Sequence, residues 1–567
     1  MSRHPASLQS FREIREEGLS YADKTEHLHR LLMDGRAFRL TRPRAFGKTL
    51  FISSLKALFQ GRADLFKGLY LGGAGWDFAK RPVIALDFAR LGSGSPGSAG
   101  EDLSWELKRI GLKEGLQVKG TAPGSLVSWL VDALYAKHQR RPVVLVDNAS
   151  RPLERRLGDP AAMKATLEAL GGFWEALASQ GPRLRFVFAA SGFCFKGITG
   201  PEGFLKDVSV GSRQAGCCGF TPEEIDRVFR DSLAEATELR RADGALPSKA
   251  GAGDLRAEIL RWYGGYSWDA ETRVACPAAV IAFLETSENS WHFLEDRPPD
   301  LIPEALWREA ASEVPPGADL TYTRGMLCLV DPARPPLAPL MFQAGALSLS
   351  GKRERDGVPE YSLGFPDRDA EGGFRMLALA ALTGLDHAAL RAHVRLFRRE
   401  AGEGRAEGAA AALAGLLADS REALAGRPEG RGSLYCLLLR LAGFEGAAGE
   451  RDGGRARFSG AASGWASGAL RVSGNRRVQV MLRHIPGADG SGEGAARRLL
   501  QEAMDAAVRE VREGGEAEER SVPGQAAPSW EARRLFVFSA GAWETAGCSA
   551  DSGHPLMFRP LSRADES

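Results

Sequence analysis

The chain has 567 residues, of which 74 are Lys or Arg and 72 are Asp or Glu, so its formal net charge is +2. This balance excludes a polybasic, histone-like protein, and the 44% of hydrophobic residues exclude disorder over the whole chain. No run approaches the roughly 20 apolar residues of a membrane helix. The 7 scattered cysteines are typical of reduced thiols. We therefore expect a cytoplasmic protein of about three or four domains, without membrane attachment.

The first 215 residues alternate between strand and helix patterns. Apolar runs predict strands at 38–41, 83–88, 142–147 and 185–191, and helical spacing of apolar residues predicts helices at 25–34, 49–60, 126–136 and 160–178. Strands that alternate with helices imply a parallel sheet covered on both faces. The sequence therefore predicts an α/β fold class for this part of the chain.

After residue 215 the chain is predicted to be helical at first and then to contain both helices and strands. A capping box at Thr221 and Glu224 predicts a helix start, and helices are expected to continue to about 345. Further helices are predicted at 376–398, 408–425, 434–443 and 495–513, and strands at 455–459, 468–472, 478–482 and 534–538. These patterns divide the chain into regions 1–215, 216–375, 376–430 and 431–567.

The most informative segment joins the first predicted strand to the helix that follows it. Gly47, Lys48 and Thr49 stand at this junction, where backbone N–H groups and the helix dipole attract an anion. Glycine allows close approach of a phosphate, lysine reaches the β- and γ-phosphates, and the threonine hydroxyl holds Mg²⁺. The full phosphate-loop pattern has glycine at position 42, where this chain has Arg42. The segment predicts a P-loop nucleotide-binding domain.

These motifs resemble the bacterial AAA-ATPase-like family, which joins a P-loop domain to a C-terminal PD-(D/E)XK nuclease-like domain. The similar segments, which lie within roughly 11–370, include Tyr21-Ala-Asp-Lys-Thr25, Arg42-Pro-Arg-Ala-Phe-Gly-Lys-Thr49, Cys218-Gly-Phe-Thr-Pro-Glu-Glu224, Trp262-Tyr-Gly-Gly-Tyr-Ser-Trp268 and Tyr361-Ser-Leu-Gly-Phe-Pro366. The resemblance implies ATP and Mg²⁺ as ligands. It also implies a P-loop domain at 1–215, a lid or winged-helix-like region at 216–375, a helical connector at 376–430 and a nuclease-like domain at 431–567.

The second nucleotide motif departs from that family. The chain has Asp147-Asn-Ala-Ser-Arg-Pro152 where the family usually has Asp-Glu-Tyr-Asp-Lys-Pro. Asp147 can orient Mg²⁺ through its water shell. Asn148 occupies the position of the glutamate that activates water, and a neutral amide cannot accept a proton. Loss of general-base help costs about 10²- to 10⁴-fold in rate. We expect ATP binding with weak or absent hydrolysis and assign no catalytic residue.

Three further side chains are candidates for nucleotide contact. Arg42 and Arg44 flank the loop, and a guanidinium can fork onto phosphate oxygens or pair with a surface carboxylate. Ser191 ends the fourth predicted strand. By analogy it is a γ-phosphate sensor, and the alternative is a hydroxyl that bonds the local backbone.

The C-terminal region lacks most of the acids that a nuclease needs. Family members have Gly-Arg-x-Asp and then Glu-x-Lys, whose carboxylates bind the metal that activates water. Here Arg457 stands at the Asp position, Met481 and Arg483 stand within the Glu-x-Lys position, and Glu450 is the remaining acid. An arginine stays protonated and cannot ligate a metal. We expect a nuclease-like domain that is inactive.

Two alternative functions remain open from the sequence. In one, another acid such as Asp87 activates the attacking water, and the protein is an active ATPase. In the other, the Arg-rich segments 391–399 and 471–483 bind nucleic acid, and the nuclease-like domain serves as a platform. An unidentified protein partner is also compatible with the sequence.

Overall fold

The structure is a computed structural model, and its description covers residues 10–95, 98–197, 200–295, 302–311, 320–332, 334–424, 430–443, 451–452, 455–456, 465–472, 476–485, 531–540, 544–550 and 559–560. The chain divides into two compact units. The first consists of Met1–Pro303 with Pro315–Gly373, and the second of Glu304–Val314 with Phe374–Ser567. No described helix is both long enough and apolar enough to cross a membrane.

A five-stranded parallel sheet forms the centre of the first unit. Its strands are β1 Ala37–Thr41, β2 Val83–Asp87, β3 Val143–Asp147, β4 Phe186–Ser191 and β5 Lys206–Asp207. They lie in the order β2-β3-β4-β1-β5, and all pairs are parallel. Every residue of β3 and β4 is buried, which explains why their sequences are unbroken apolar runs. The predicted α/β fold class with a parallel sheet is confirmed.

Helices precede, connect and follow these strands. In chain order they are α1 Phe11–Glu16, α2 Thr25–Asp34, α3 Lys48–Phe59, α4 Tyr70–Gly73, α5 Ser98–Lys113, α6 Pro123–His138, α7 Arg151–Glu154, α8 Pro160–Ser179, α9 Pro222–Val228, α10 Arg230–Ala242, α11 Ala252–Tyr263, α12 Pro277–Thr286, α13 His292–Glu295, α14 Glu304–Ala310, α15 Arg324–Cys328, α16 Leu337–Ala344, α17 Arg368–Thr383, α18 His387–Gly402, α19 Ala406–Asp419, α20 Arg421–Leu424 and α21 Gly430–Leu441.

One face of the sheet packs against α5, α6 and α8. Leu107 of α5, Leu130 of α6 and Trp174 of α8 are completely buried in this core together with Val146 of β3. Full burial of such a side chain contributes about 1.5–3 kcal/mol. The core holds β2 and β3 in place, so the positions of the residues that follow these strands are fixed.

The capping box predicted at the start of α9 is present. The Thr221 hydroxyl accepts a hydrogen bond from the Glu224 amide at 3.3 Å, and the Glu224 carboxylate accepts one from the Thr221 amide at 2.8 Å. Two amides that have no partner within the helix are thereby satisfied. The same Glu224 carboxylate is paired with Lys24 at the start of α2, at 2.6 Å.

The helix predicted at 376–398 is wrong as a single element. The structure has α17 and α18 there, separated at Gly384, whose φ is +71°. Asp386 then begins α18, because its carboxylate accepts hydrogen bonds from the amides of Ala388 and Ala389, both at 2.8 Å. A positive φ followed by an N-cap ends one helix and starts another, although the apolar spacing runs through both.

The first unit also contains a small antiparallel sheet, which the sequence did not predict. Its strands are β6 Tyr322–Thr323, β7 Ser348–Arg355 and β8 Val358–Gly364, in the order β6-β8-β7. Most of β7 is exposed and charged, so the alternation of apolar residues that indicates a strand is missing from it.

The second unit contains a mixed sheet. Its strands are β11 Trp465–Val472, β12 Arg476–Ile485, β13 Glu531–Ala540, β14 Glu544–Ala550 and β15 Arg559–Pro560, in that order, and β9 Arg451–Asp452 pairs with β10 Arg455–Ala456. Among the described strands of this sheet, β12 and β13 are parallel, and the other neighbours are antiparallel. The helix predicted at 495–513, with Glu450 and Arg457, lies outside the described residues.

Candidate functional site

A cavity of about 490 Å³ lies at the carboxyl edge of the parallel sheet. The segment between β1 and α3 forms one wall, and Asp87 and Asn148, at the ends of β2 and β3, contribute to it. Residues 217–220 and the start of α12 line it from another side. Ligands of open parallel sheets bind at this edge, because loops from several strands meet there.

Residues 42–49, which we call the phosphate loop, contain two left-handed backbone positions. Ala45 has a φ of 64° and Gly47 a φ of 88°. Gly47 is the N-cap of α3, and a Cβ at this position would meet no atom within 4 Å. Glycine is therefore favoured there by conformation rather than by lack of space. The result is a helix N-terminus at the wall of the cavity, with the dipole orientation that favours an anion.

The Lys48 ammonium group lies inside the phosphate loop. It donates hydrogen bonds to the carbonyl oxygens of Arg42 at 2.9 Å and Pro43 at 2.8 Å, and the residue is only 7% exposed. Burial lowers the pKa of Lys48, and the charge of Asp147 opposes this effect. Both hydrogen-bond acceptors are neutral, so a charged phosphate oxygen would be a stronger partner for the same ammonium.

Arg42 has a different position from the one predicted. Its guanidinium is completely buried and donates to the carbonyl oxygens of Thr41 and Ser209, both at 2.8 Å, and of Gln214 at 3.1 Å. It also lies over the Trp268 ring, 4.1 Å from its centroid. The side chain does not line the cavity, whereas Arg44 does. The arrangement favours an anchoring role for Arg42 and leaves Arg44 in a position to contact phosphate.

Thr49 and Asp147 lie together beside Lys48. Asp147 is the last residue of β3, is 5% exposed and accepts a hydrogen bond from the Asn148 amide at 2.9 Å. Burial raises the pKa of Asp147, while a hydrogen bond with Thr49 and the charge of Lys48 oppose that rise. The structure thus brings together a hydroxyl, a carboxylate and an ammonium that the sequence singled out from two distant segments.

Ser191 is the last residue of β4 and faces the neighbouring strand. It is paired in register with Thr41 of β1, and their hydroxyl oxygens are 3.2 Å apart. Its carbonyl oxygen accepts a hydrogen bond from the Arg42 amide at 3.2 Å. Ser191 is 8% exposed and does not line the cavity. Its contacts with Thr41 and Arg42 are with the end of β1 and the first residue of the phosphate loop.

Asn148 adopts a left-handed conformation with a φ of 52° and reaches across to the neighbouring strand end. Its side-chain amide donates to Asp87 Oδ1 at 2.9 Å, and the same oxygen accepts a hydrogen bond from the Ala89 amide at 2.9 Å. Asn and Asp tolerate this backbone conformation better than other residues that carry a Cβ. In the family that the sequence resembles, position 148 holds the acid that activates water. Here the side chain at this position is an amide that is bound to an exposed carboxylate.

A buried cluster behind this turn escaped the sequence analysis. The Ser150 hydroxyl accepts hydrogen bonds from the amides of Gly192 and Phe193, both at 3.1 Å, and donates to the carboxylate of Glu154. Glu154 is 5% exposed and also pairs with Arg151 at 3.2 Å. The cluster ties the turn after β3 to the turn after β4. The sequence signal that could have indicated this cluster was the spacing of its residues. Arg151 and Ser150 precede Glu154 by three and four positions, which places them on the same face of a short helix.

A set of apolar side chains that lines the cavity was also missed. Phe220 and Phe229 pack with their ring centroids 5.2 Å apart, and Tyr21 and Ile281 line the same space. Burial raises the pKa of Tyr21. The four side chains come from three separate parts of the chain, and nothing local in the sequence connects them. We call the part of the cavity lined by the phosphate loop its polar end and the part lined by these four side chains its apolar end.

No group of three or more His, Cys, Asp or Glu side chains suited to a metal ion occurs among the described residues. Beside the phosphate loop, however, the Thr49 hydroxyl is hydrogen-bonded to the Asp147 carboxylate. This donor set fits Mg²⁺, because that ion usually keeps several waters and takes one or two protein ligands plus phosphate oxygens.

Comparisons with known proteins match part of the chain. Residues 5–197 match the AAA-ATPase-like family model, described as a predicted AAA-ATPase. An "Uncharacterized protein in vnfD 5'region" from Azotobacter chroococcum mcd 1 is 28% identical over 375 residues, which cover 65% of this chain and 68% of that protein. No solved structure matches the chain. The family match contains β1–β4, the phosphate loop and the turn after β3, and it ends before the second unit.

Proposed function

We propose that the protein binds Mg-ATP in the cavity beside the phosphate loop and hydrolyses it slowly or not at all. The observation that carries this proposal is that Lys48 and Thr49, at the N-terminus of α3, line the cavity of about 490 Å³ and that Asp147 lies beside them. The cavity falls within the usual range of about 300–1,000 Å³ for small-molecule sites. The family match over 5–197 supports ATP as the nucleotide.

The polar end of the cavity would take the phosphates. Lys48 exchanges its two carbonyl acceptors for phosphate oxygens, which gain a charge-assisted hydrogen bond. The amides at the start of α3 face the same charge. Mg²⁺, when bound, neutralises phosphate charge, and Thr49 with the water shell of Asp147 would hold it. Arg44 supplies a second cation at the cavity wall.

The apolar end would take the base. Phe220, Phe229 and Ile281 offer flat and aliphatic surface without a charged group. A nucleobase has a π-face that stacks on aromatic rings and loses little hydration when covered. One ligand that has an anionic tail and a flat apolar head matches both ends of the cavity.

Slow hydrolysis follows from the turn after β3. The Asn148 amide points at Asp87 and donates a hydrogen bond to it, so it offers no free base to an attacking water. The absence of general-base help accounts for about 10²- to 10⁴-fold in rate.

A second candidate is an active ATPase in which Asp87 replaces the missing glutamate. The Asp87 carboxylate is exposed, lines the cavity and lies 2.9 Å from the Asn148 amide, so a water could reach it. Phosphate release distinguishes the two candidates. A wild-type turnover of several per second that is abolished by Asp87→Asn favours the active enzyme. A wild-type rate of phosphate release no higher than that of the Asp147→Ala variant favours slow or absent hydrolysis.

Binding itself is tested by thermal unfolding with Mg-ATP, with Mg-GTP as a second arm. A ligand at a hundredfold excess over its Kd stabilises the native state by about 2.7 kcal/mol. Wild-type protein should gain this stability and Lys48→Ala should not. Lys56→Ala is the matched control, because Lys56 is an exposed lysine on the same helix and does not line the cavity. A wild-type protein that shows no shift in millimolar Mg-ATP contradicts the proposal.

For the second unit we propose a nuclease-like domain that does not cut nucleic acid. The support is the sequence alone, which places Arg457 and Met481 where metal-binding acids are expected. The test is incubation with single- and double-stranded DNA and RNA in Mg²⁺ and in Mn²⁺. Cleavage that disappears in Glu450→Ala overturns this part of the proposal. Salt-dependent retention on the same nucleic acids tests the alternative of a nucleic-acid platform.

A further inference from the structure

Two adjacent thiols form part of the cavity wall. Cys217 and Cys218 have their sulfur atoms 3.9 Å apart, and both residues line the cavity although each is only 2% exposed. The other cysteines whose side chains the structure describes, Cys194, Cys276, Cys328 and Cys436, are buried and do not line it. Among the described thiols, this pair is therefore the one that a small reagent in the nucleotide cavity would meet.

Two cations hold the segment that carries the pair. The Lys24 ammonium donates to the carbonyl oxygen of Gly216 at 2.9 Å, and the Arg42 guanidinium donates to that of Gln214 at 3.1 Å. A thiol beside fixed positive charges and a second thiol forms its nucleophilic thiolate more easily. Both cations have fixed positions, because each is bound to several acceptors.

The two thiols differ in their tendency to ionise. Burial opposes ionisation of Cys217, but the hydrogen bond with Cys218 and the charges of Arg42 and Lys24 outweigh it and lower the pKa of Cys217 below its usual value. The same hydrogen bond, together with burial, raises the pKa of Cys218. The pair thus consists of a thiolate former and an adjacent thiol, the arrangement of a reactive cysteine beside a resolving one.

The backbone after the pair is bonded to the phosphate loop. The Gly219 amide donates to the carbonyl oxygen of Phe46 at 3.2 Å, and Phe46 immediately precedes Gly47. Gly219 has a φ of +90°, and a Cβ at this position would lie 2.6 Å from the Val274 side chain. Because Gly219 is packed closely against Val274 and bonded to Phe46, a rotation of the backbone at 217–218 would displace the Phe46 carbonyl.

We propose that Cys217 and Cys218 form a redox-active dithiol that a hydroperoxide oxidises to a disulfide, and that this oxidation weakens nucleotide binding in the adjoining cavity. The second half of the proposal rests on the proposed function, since it regulates the same site. The first half, disulfide formation, does not depend on it.

The chemistry balances in two steps. The Cys217 thiolate attacks one oxygen of the hydroperoxide, the O–O bond breaks, and the products are a sulfenic acid and an alkoxide that takes a proton from solvent to become an alcohol. The Cys218 sulfur then attacks the sulfenic sulfur, a disulfide forms, and the Cys218 proton leaves with the hydroxide as water. The two thiols lose two electrons, and the peroxide bond receives them.

Oxidation must move the backbone that contacts the loop. The sulfur atoms have to approach from 3.9 Å to about 2.05 Å, the length of a disulfide bond. Adjacent residues keep their Cα atoms about 3.8 Å apart, closer than the roughly 4.4 Å minimum of ordinary disulfides. The peptide between the two cysteines therefore has to turn, and the Gly219–Phe46 hydrogen bond carries that turn to the phosphate loop.

The test begins with the full-length protein and hydrogen peroxide, followed by intact-mass measurement and thiol counting. We expect the loss of two hydrogen atoms and of two free thiols in wild type, reversed by a dithiol reductant, and neither in Cys217→Ser nor in Cys218→Ser. Cys194→Ala is the matched control, because burial raises the pKa of Cys194 to about 12 and its side chain lies away from the cavity. Peroxide that leaves both thiols free, or oxidises Cys217 beyond the sulfenic acid without a disulfide, overturns the redox pair.

The second measurement is the Kd of Mg-ATP for reduced and oxidised wild-type protein. We expect about tenfold weaker binding after oxidation, within the usual range of coupling between two sites, and slower disulfide formation when Mg-ATP is present. Equal affinity in both states overturns the regulatory half. A reduced protein that does not bind Mg-ATP refutes the proposed function and the regulatory half with it, while the mass measurement still decides whether the dithiol is redox-active. The comparison uses the wild-type chain, so it does not depend on the folding of the serine variants.

Discussion

The phosphate loop and the turn after β3 follow two parallel strands at the same edge of one sheet, yet their polar groups are used differently. In the phosphate loop, the Lys48 ammonium is bound to neutral carbonyl oxygens that a phosphate can replace. In the turn after β3, the Asn148 amide is bound to a carboxylate, and the Ser150 hydroxyl contacts Glu154 and two backbone amides.

This difference separates two requirements of an ATPase. Binding needs cationic and N–H groups whose present partners are weaker than phosphate, and the phosphate loop has them. Hydrolysis needs a base that is free to take a proton from water, and the polar groups of the other turn are bound to the end of β2 and to the turn after β4. The two elements can therefore be changed independently, and substitutions in each should alter different quantities.

The largest expected effect is a gain of hydrolysis in Asn148→Glu. A carboxylate at this position, beside Asp87, supplies a base, and we expect phosphate release to rise by about 10²-fold or more. Asn148→Gln is the matched control, since it has the same length and the same backbone cost but cannot accept a proton. Equal rates in the two variants would show that position 148 does not limit hydrolysis.

A smaller effect is expected when the anchor of the phosphate loop is weakened. Arg42→Lys loses the planar fork that reaches three carbonyl oxygens and the stacking on Trp268. Charge-assisted hydrogen bonds contribute about 1.5–3 kcal/mol each, so we expect a loss of about 2–4 kcal/mol in the free energy of unfolding without ligand. Urea unfolding of the nucleotide-free protein measures it. Unchanged stability combined with weaker ATP binding would instead make Arg42 a phosphate ligand.

The smallest effect concerns one left-handed residue of each element, Gly47 in the phosphate loop and Asn148 in the turn after β3. Gly47→Ala and Asn148→Ala should each destabilise the protein by about 1–2 kcal/mol, because alanine is strained at positive φ. Gly171→Ala is the control, and it should stabilise the protein. Gly171 lies within α8, and a Cβ added there would meet no atom within 4 Å. Alanine in the middle of a helix is more stable than glycine by about 0.5–1 kcal/mol. Thermal unfolding measures all three. A stabilising Gly47→Ala would contradict the role of backbone conformation in the loop.

The sequence was most informative where the signal is local. Gly47, Lys48 and Thr49 between a strand pattern and a helix pattern predicted the loop, and the apolar run ending at Asp147 predicted a strand end beside it. Periodicity identified these elements because each of them buries one face or a whole strand in the core.

The parts that sequence reasoning missed depend on distant partners. Arg42 looks like a surface cation until Ser209, Gln214 and Trp268 enclose it, and those residues lie 167 to 226 positions later. The apolar end of the cavity combines three separate segments in the same way. Burial of this kind has no local pattern, because the residues that cause it are neighbours only in the folded protein.

The enclosure of Arg42 has a consequence for synthesis and for dissection of the chain. During translation the phosphate loop emerges long before Trp268. We therefore expect the Arg42 guanidinium to stay hydrated, and the loop to lack its anchor, until that later segment folds onto it. A fragment that ends at residue 197, where the family match ends, lacks three of the four groups around Arg42. We therefore expect that the smallest piece of the chain able to hold the phosphate loop in its present conformation extends at least through Trp268.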